Sequence, residues 1–513
     1  MAPGRLVRGF LTVGGWTMAS RVLGFMRDIL IAAFLGAGPV AEAFVVAFSL
    51  PNMFRRFFAE GAFNMAFIPL FAKKLENGEG PLEFARDALS GLATVLIALT
   101  LAAQLAMPWL VLAMAAGFAG DQRFELAVSF GRIAFPYILF ISLAALLSGV
   151  LNATGRFAAA AAAPVLLNLV LSGAMLGAWA LGADIGRALI WAVPVGGIAQ
   201  LALVWRAAAR AGYRLIPRRP RMTPELKRLA VIAAPAALAG GVVQVNLLVG
   251  RQVASFFEGS IQYLNLADRL YQLPLGVVAI AIGVVLLPEL SRRLAAGDGP
   301  GGRDAMNRAA EFALLLTLPA AVALVVIPGP LVSVLFQRGA FGAQDAQATA
   351  LVVAIYGLGL PAFVMQKVLQ PLYFAREDTR SPFRYALAAM VVNAVLAIGL
   401  APLVGYVAAA IATSAAGWSM VWLLHRGARA MGETARFDTR FLDRARRIAL
   451  SAIGMGLVLL LAQYLLGPAL LMPGWRYGAL AVLITAGAAS FFAISQLNGA
   501  FRLAELRSAL GRG

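Results

Sequence analysis

The sequence predicts an all-α polytopic membrane protein of 14 transmembrane helices. It predicts two six-helix lobes related by a parallel repeat, followed by two C-terminal helices. Three observations predict this fold. The residues are 61% hydrophobic and only 13% charged, with a mean hydropathy of +0.82. Runs of about 20 predominantly apolar residues, the length needed to cross a hydrocarbon core about 30 Å thick, recur along the whole chain. The chain also resembles itself when shifted by 217 to 225 residues.

The apolar runs place helices 1–6 at 9–35, 40–73, 88–116, 126–152, 157–182 and 187–206. Helices 7–12 fall at 229–256, 261–290, 307–336, 345–375, 382–403 and 405–425, and the last two at 447–467 and 476–498. Short polar loops separate them. The first run contains Arg21, Arg27 and Asp28, so it reads as a retained helix and not as a cleavable signal, whose apolar centre is uninterrupted. The ~10-residue alternating segments of an outer-membrane barrel are missing.

Sliding by 225 residues puts Pro136-Tyr137-Ile138 on Pro361-Ala362-Phe363 and Asn168 on Asn393. At slightly smaller offsets Val204-Trp205 meets Val421-Trp422, and Ile68-Pro69-Leu70 meets Leu287-Pro288-Glu289. A shift spanning six helices preserves orientation, and parallel repeats of this kind are a transporter architecture with the cargo between the halves. The expected domains are a first lobe at 1–206, a basic cytoplasmic linker at 207–228 containing Pro217, Pro220 and Pro224, a second lobe at 229–426, and residues 427–513 carrying the last two helices and a cytoplasmic tail.

The net charge of +19 is distributed by topology. One set of connections holds 31 of the 43 basic residues and the opposite set 5, so the positive-inside rule expects both termini in the cytoplasm. No soluble module with interleaved aromatics accompanies the charge, which excludes nucleic acid as a partner and leaves membrane lipid headgroups. Cysteine is absent, which rules out disulfides and thiolate metal sites, and the one histidine is His425. With no Asp-x-Asp and no phosphate-cradling glycine loop, the chain offers no catalytic residues, no metal site and no cofactor site. A membrane glycosyl- or phosphotransferase is therefore disfavoured, and a non-transporting scaffold leaves the charges inside the helices unexplained.

Those embedded charges carry the functional reading. A charge at mid-bilayer costs roughly 2.5–3.5 kcal/mol on insertion scales, so such residues face a bundle interior or a wet cavity. Helix 1 holds Ser20, Arg21, Arg27 and Asp28; helix 2 holds Glu42, Arg55, Arg56 and Glu60; helix 7 holds Arg251 and Glu258; helix 8 holds Asp268 and Arg269. Arg27–Asp28, Arg56–Glu60 and Arg251–Glu258 are spaced to pair. Cations outnumber anions there, and a guanidinium matches phosphate through two parallel hydrogen bonds. Lys367, near Gln366 and Gln370, marks a second polar patch in helix 10.

The stretch Ser20-Arg21-Val22-Leu23-Gly24-Phe25-Met26-Arg27-Asp28 resembles the MurJ/MviN family of lipid II flippases. So do Leu50-Pro51-Asn52-Met53-Phe54-Arg55-Arg56, Phe58-Ala59-Glu60-Gly61-Ala62-Phe63 and Ala267-Asp268-Arg269-Leu270. The resemblance covers the whole chain. It implies an inner-membrane transporter whose cargo is lipid II, the undecaprenyl-diphosphate-linked disaccharide-peptide of peptidoglycan, and whose two lobes alternate in access. It implies that Arg21, Arg27, Arg55, Arg269 and Glu60 bind cargo, supported by Ser20, Asp28, Glu42, Arg56, Arg251 and Asp268, and that helices 13 and 14 form a groove for the lipid tail. Cell-wall synthesis proteins are the candidate protein partners, and the expected state is a monomer. Glu42 stands where the resemblance leads one to expect Asp, which keeps a carboxylate there. An exporter of another polyprenyl-diphosphate-linked oligosaccharide, or a multidrug antiporter of the same superfamily, is the competing function; a cation exporter would offer acidic or aromatic surfaces, and these helices are basic.

Overall fold

The computed structural model describes residues 3–55 and 63–501, with side chains throughout except at 3–11, 65, 234–247, 277–285 and 434. Nearly all of these residues are helical, and among them the only strand-like feature is an isolated pairing of Arg338 with Phe341. Hydrocarbon offers nothing to a peptide N–H or C=O, and an α-helix satisfies its own. The helices are α1 (Pro3–Leu35), α2 (Pro39–Arg55), α3 (Asn64–Asn77), α4 (Pro81–Met114), α5 (Gln122–Ala134), α6 (Tyr137–Ala153), α7 (Ala158–Ala180), α8 (Ile185–Arg210) and α9 (Pro224–Ser255). They continue with α10 (Ser260–Ala295), α11 (Gly299–Val326), α12 (Pro328–Phe336), α13 (Ala343–Phe374), α14 (Arg380–Val404), α15 (Val407–Ala428), α16 (Thr439–Leu471) and α17 (Trp475–Asn498). Among the described residues, ten stretches are long and apolar enough to cross a membrane.

Several boundaries differ from the sequence expectation. The span expected at 126–152 is two helices, α5 and α6, parted at Phe135-Pro136, because Pro136 has no N–H to continue the ladder. The span at 307–336 divides at Ile327, where Pro328 opens α12. The helices expected at 88, 307 and 447 begin at Pro81, Gly299 and Thr439. Polar side chains cap two of these early starts: Asp298 accepts from Gly301 N–H at 2.8 Å and Asp438 from Phe441 N–H at 2.6 Å. The span at 40–73 is described as α2 and α3; residues 56–62, and with them Arg56 and Glu60, lie outside the described residues.

The chain divides into two compact units. The first comprises Met1–Gln262 with Arg338–Phe341, the second Tyr263–Gln337 with Gly342–Gly513. In the first, α7 packs on α1 and α8, α6 on α8, α2 on α5, and α9 on α3 and α4. The four-residue turn Arg338–Phe341 seats against the end of α1 in this unit, where Ala340 N–H donates to the Ala33 carbonyl at 2.8 Å. Two glycines make the fit. A methyl on Gly36 (φ +62°) would lie 2.6 Å from the Ala340 carbonyl oxygen, and one on Gly339 (φ +56°) 2.1 Å from the Ala33 carbonyl oxygen.

The segment between α8 and α9 is pinned to α4. Arg218 N–H donates to Ser90 Oγ at 2.9 Å and its guanidinium Nη2 pairs with Asp87 at 2.6 Å. Arg86 donates to the Arg214 carbonyl, and Lys74 on α3 pairs with Glu225 at 3.0 Å. Leu215 is buried within this attachment, and Thr223 caps α9.

In the second unit α14 packs on α15, α13 on α15, α11 on α13, and α16 on both α17 and α11. An apolar core of Ile448, Ala452, Met455, Leu459, Leu483 and Phe491 joins the last two helices to Ile327 and Val334. Next to it the buried Glu311 on α11 receives Arg308, Arg440 and Arg444, while Arg308 also reaches Asp438.

Candidate functional site

Two of the embedded charges of α1, Arg27 and Asp28, pair with each other. Arg27 and Asp28 are both buried, and Arg27 Nη2 lies 2.7 Å from Asp28 Oδ1, with Nε donating to the same oxygen at 3.1 Å. Nη1 donates to Asn168 Oδ1 on α7 at 3.0 Å, and Asn168 Nδ2 donates to the Ser20 carbonyl at 3.1 Å. Asn168 thus bridges two turns of α1 and aims the guanidinium. Ser20 and Arg27 are seven residues apart, so they share a helix face, and that face meets α7. A guanidinium has five N–H donors, and the described residues engage three of those on Arg27, leaving two for an anion. Arg21, also on α1, is exposed.

Arg55 ends α2 half-buried; Arg251 on α9 is half-buried, and Glu258, in the turn after α9, is exposed. In the second unit Asp268 and Arg269 are half-buried on α10, where Gln272 donates to the Asp268 carboxylate. Lys367 on α13 is exposed, while its neighbour Gln366 donates to the Gly417 carbonyl at 3.0 Å.

A second charged centre sits at the start of α2. Glu42 is 1% exposed; its Oε1 accepts Ile261 N–H in the first turn of α10 at 3.0 Å, and its Oε2 lies 3.1 Å from Arg123 Nη1. The exposed N–H groups and positive dipole end of a helix favour a carboxylate there. Arg123 is buried too, paired with Asp121 at 2.6 Å and stacked 4.5 Å from the Phe118 ring centroid. Burial pushes the Asp121 carboxyl up, but hydrogen bonds from the Arg123 side chain and backbone outweigh it and hold the group below the usual carboxylate range. Beside it Gln252 and Ser255 near the end of α9 accept from Ala116 N–H at 2.6 Å and Gly117 N–H at 2.8 Å.

Sequence reasoning did not assign function to Asn168, Arg123 or Asp121. The signal for Asn168 is a lone amide in the apolar run Val165-Leu166-Leu167-Asn168-Leu169-Val170-Leu171. Arg123 reads as an ordinary loop charge, and nothing near it in sequence points to Glu42.

A helical bundle with ten stretches long and apolar enough to cross a membrane among its described residues defines a multi-pass membrane protein. The fold is that of a solved lipid II flippase MurJ in an inward closed conformation, with a TM-score of 0.79 and 24% identity over 94% of this chain and 98% of that one. An inward-facing MATE family multidrug resistance transporter of the MOP superfamily aligns less closely, at 0.68 and 14% identity over 82% of this chain and 97% of that one. The family model described as lipid II flippase MurJ matches residues 31–484. A Rhizobium meliloti (strain 1021) protein named "Probable lipid II flippase MurJ" is 45% identical over 99% of this chain and 97% of its own. The Burkholderia cenocepacia protein named "Lipid II flippase MurJ" is 37% identical over 78% and 79%. The chain belongs to the lipid II flippase MurJ family.

Proposed function

We propose that the protein moves lipid II from the cytoplasmic to the periplasmic leaflet of the bacterial inner membrane by alternating access, with its embedded arginines holding the diphosphate. The observation that carries this reading is that a full-length match to lipid II flippases coincides with a buried guanidinium, Arg27, oriented by Asp28 and Asn168 and still holding unused donors. Arg21, Arg55 and Arg269, with Glu60, complete the cargo set, and Ser20, Asp28, Glu42, Arg56, Arg251 and Asp268 support it. No ion site enters the reading.

The ten apolar stretches are ten of the crossings, and in this reading α1, the α2–α3 pair, α9 and α10 make the other four of 14. An even number puts both termini on one side, and the basic connections put that side in the cytoplasm. A recurring packing pattern supports lobes at 1–206 and 229–426: α8 packs on both α6 and α7 as α15 packs on both α13 and α14, while α6–α7 and α13–α14, though consecutive along the chain, touch little. Residues 427–513 then form the tail-binding addition. The protein works as a monomer in this reading, with cell-wall synthesis proteins as its neighbours.

The decisive experiment depletes the protein and measures the fraction of lipid-linked precursor reached by an impermeant probe from outside the inner membrane. That fraction is expected to collapse while total precursor rises; an unchanged fraction would overturn the proposal. Orientation is tested separately in the cysteine-free chain. Cysteines at Leu181 and Arg187 should react with an impermeant thiol reagent from the periplasm, and those at Glu79 and Glu433 should not.

A further inference from the structure

We propose that the α8–α9 segment is an interfacial strap that docks the first unit onto anionic phospholipid headgroups. Its prolines and arginines read as a solvated linker, yet it is fixed to α4 through Arg218–Asp87, Arg218–Ser90 and Arg86–Arg214 and to α3 through Lys74–Glu225. What the attachment leaves outward is unlike a solvated loop. Ile216 is 65% exposed and Met222 74% exposed, and the side chains of Arg214, Arg219 and Arg221 stand out beside them.

The depth of the strap follows from the helix that holds it. Val95, Leu101, Leu105 and Trp109 are exposed along α4, a stripe of large apolar side chains fit only for lipid. Trp favours the membrane–water boundary. From Trp109 back to Ser90 the helix rises roughly 28 Å at 1.5 Å per residue, which matches the hydrocarbon thickness. With Trp109 at one boundary, Ser90 stands at the other, and the strap bonded to Ser90 and Asp87 lies at headgroup level.

At that level two apolar side chains flanked by guanidiniums are chemically complete. Ile216 and Met222 enter the top of the acyl layer, and Arg214, Arg219 and Arg221 meet lipid phosphates. Charge complementarity selects anionic headgroups over zwitterionic ones. The strap faces the cytoplasmic leaflet in the orientation proposed above, and its depth would be the same in either leaflet.

The test uses the full-length chain, which has no cysteine, in vesicles of phosphatidylcholine alone or with phosphatidylglycerol. Single cysteines at Ile216, Met222 and the exposed Glu79 are labelled with an environment-sensitive dye and challenged with an aqueous quencher. With phosphatidylglycerol, dyes at 216 and 222 should be quenched on the order of tenfold less than the dye at 79, and Arg219→Glu with Arg221→Glu should abolish the difference. A melting temperature unchanged by the double variant shows that the strap is still docked; if it falls, Arg219→Gln with Arg221→Gln replaces it. Equal quenching at all three sites overturns the strap, and equal protection in pure phosphatidylcholine overturns the anionic preference. Cargo movement is not the readout, so either failure leaves the proposed transport function standing.

Discussion

Glu42 and Arg123 are 81 residues apart in sequence and share one buried ion pair of 3.1 Å, while the other oxygen of Glu42 receives the backbone of Ile261. One carboxylate therefore joins α2, α5 and the beginning of α10 within a single unit. Taking Arg123 away strands the Glu42 carboxylate where water does not reach, whereas Arg123 without Glu42 would still hold Asp121.

Arg123→Ala should lower stability by about 3–5 kcal/mol, the usual cost of leaving a buried charge without its partner. Adding Glu42→Gln should recover much of that loss, because a neutral amide needs no counter-ion and keeps an oxygen for Ile261 N–H. Thermal denaturation in detergent reads both. A single variant that melts with the parent would show that the pair contributes nothing.

Acid should act on the same centre through Asp121. Its carboxyl is held below the ordinary range, so its contribution is complete above that range and is lost as the pH falls through the depressed value. Asp121→Asn is therefore expected to melt below the parent at neutral pH, and the two curves should converge only under strongly acidic conditions. A gap that closes near neutrality would mean another group titrates.

Asn168→Ala should impair cargo movement while the protein still inserts, because Arg27 keeps its charge but loses the amide that aims it. Arg27→Ala should abolish movement, and Arg27→Lys should restore only part, since an ammonium lacks the planar fork. Arg21→Ala and Arg269→Ala serve as parallel variants. Full precursor translocation by Asn168→Ala would reduce the amide to packing.

The turn against α1 gives a reversible lock. Ala340 N–H donates to the Ala33 carbonyl at 2.8 Å, which makes the two residues direct neighbours, and the native chain has no thiol to compete. Ala33→Cys with Ala340→Cys should cross-link on oxidation, stop precursor translocation and recover it on reduction. Gly339→Ala should weaken the seat, because a methyl meets the Ala33 carbonyl at 2.1 Å. Continued translocation by the fully cross-linked protein would show that this contact never has to part.

Much of the fold was legible because a bilayer asks for long apolar runs, and α7, α14 and α17 meet that demand in plain sequence. The ends were harder. Gly299-Pro300-Gly301-Gly302 reads as loop, and only the Asp298 cap and packing on α16 make it the first turn of α11. At the site, Arg27 and Asp28 were visible as charges out of place, and their pairing followed from adjacency. Asn168 appeared only as a repeat marker, since which face of α7 meets α1 is a tertiary fact. Arg123 and the turn at Arg338–Phe341 left no local trace, because their partners lie far away along the chain.

That last separation sets an order of events in biosynthesis. Gly36 emerges with the first helix, and the turn that fills the space beside it is made only after α2 to α12 have been synthesised. The first hairpin therefore enters the bilayer with this end unsealed and stays so through most of translation. The early bundle cannot finish by itself; a late segment of the nascent chain must come back to complete it. A chain halted before Arg338 should leave Ala33 open to an impermeant thiol reagent once replaced by cysteine, and read-through to the full chain should close it, which makes this seat a timer for assembly.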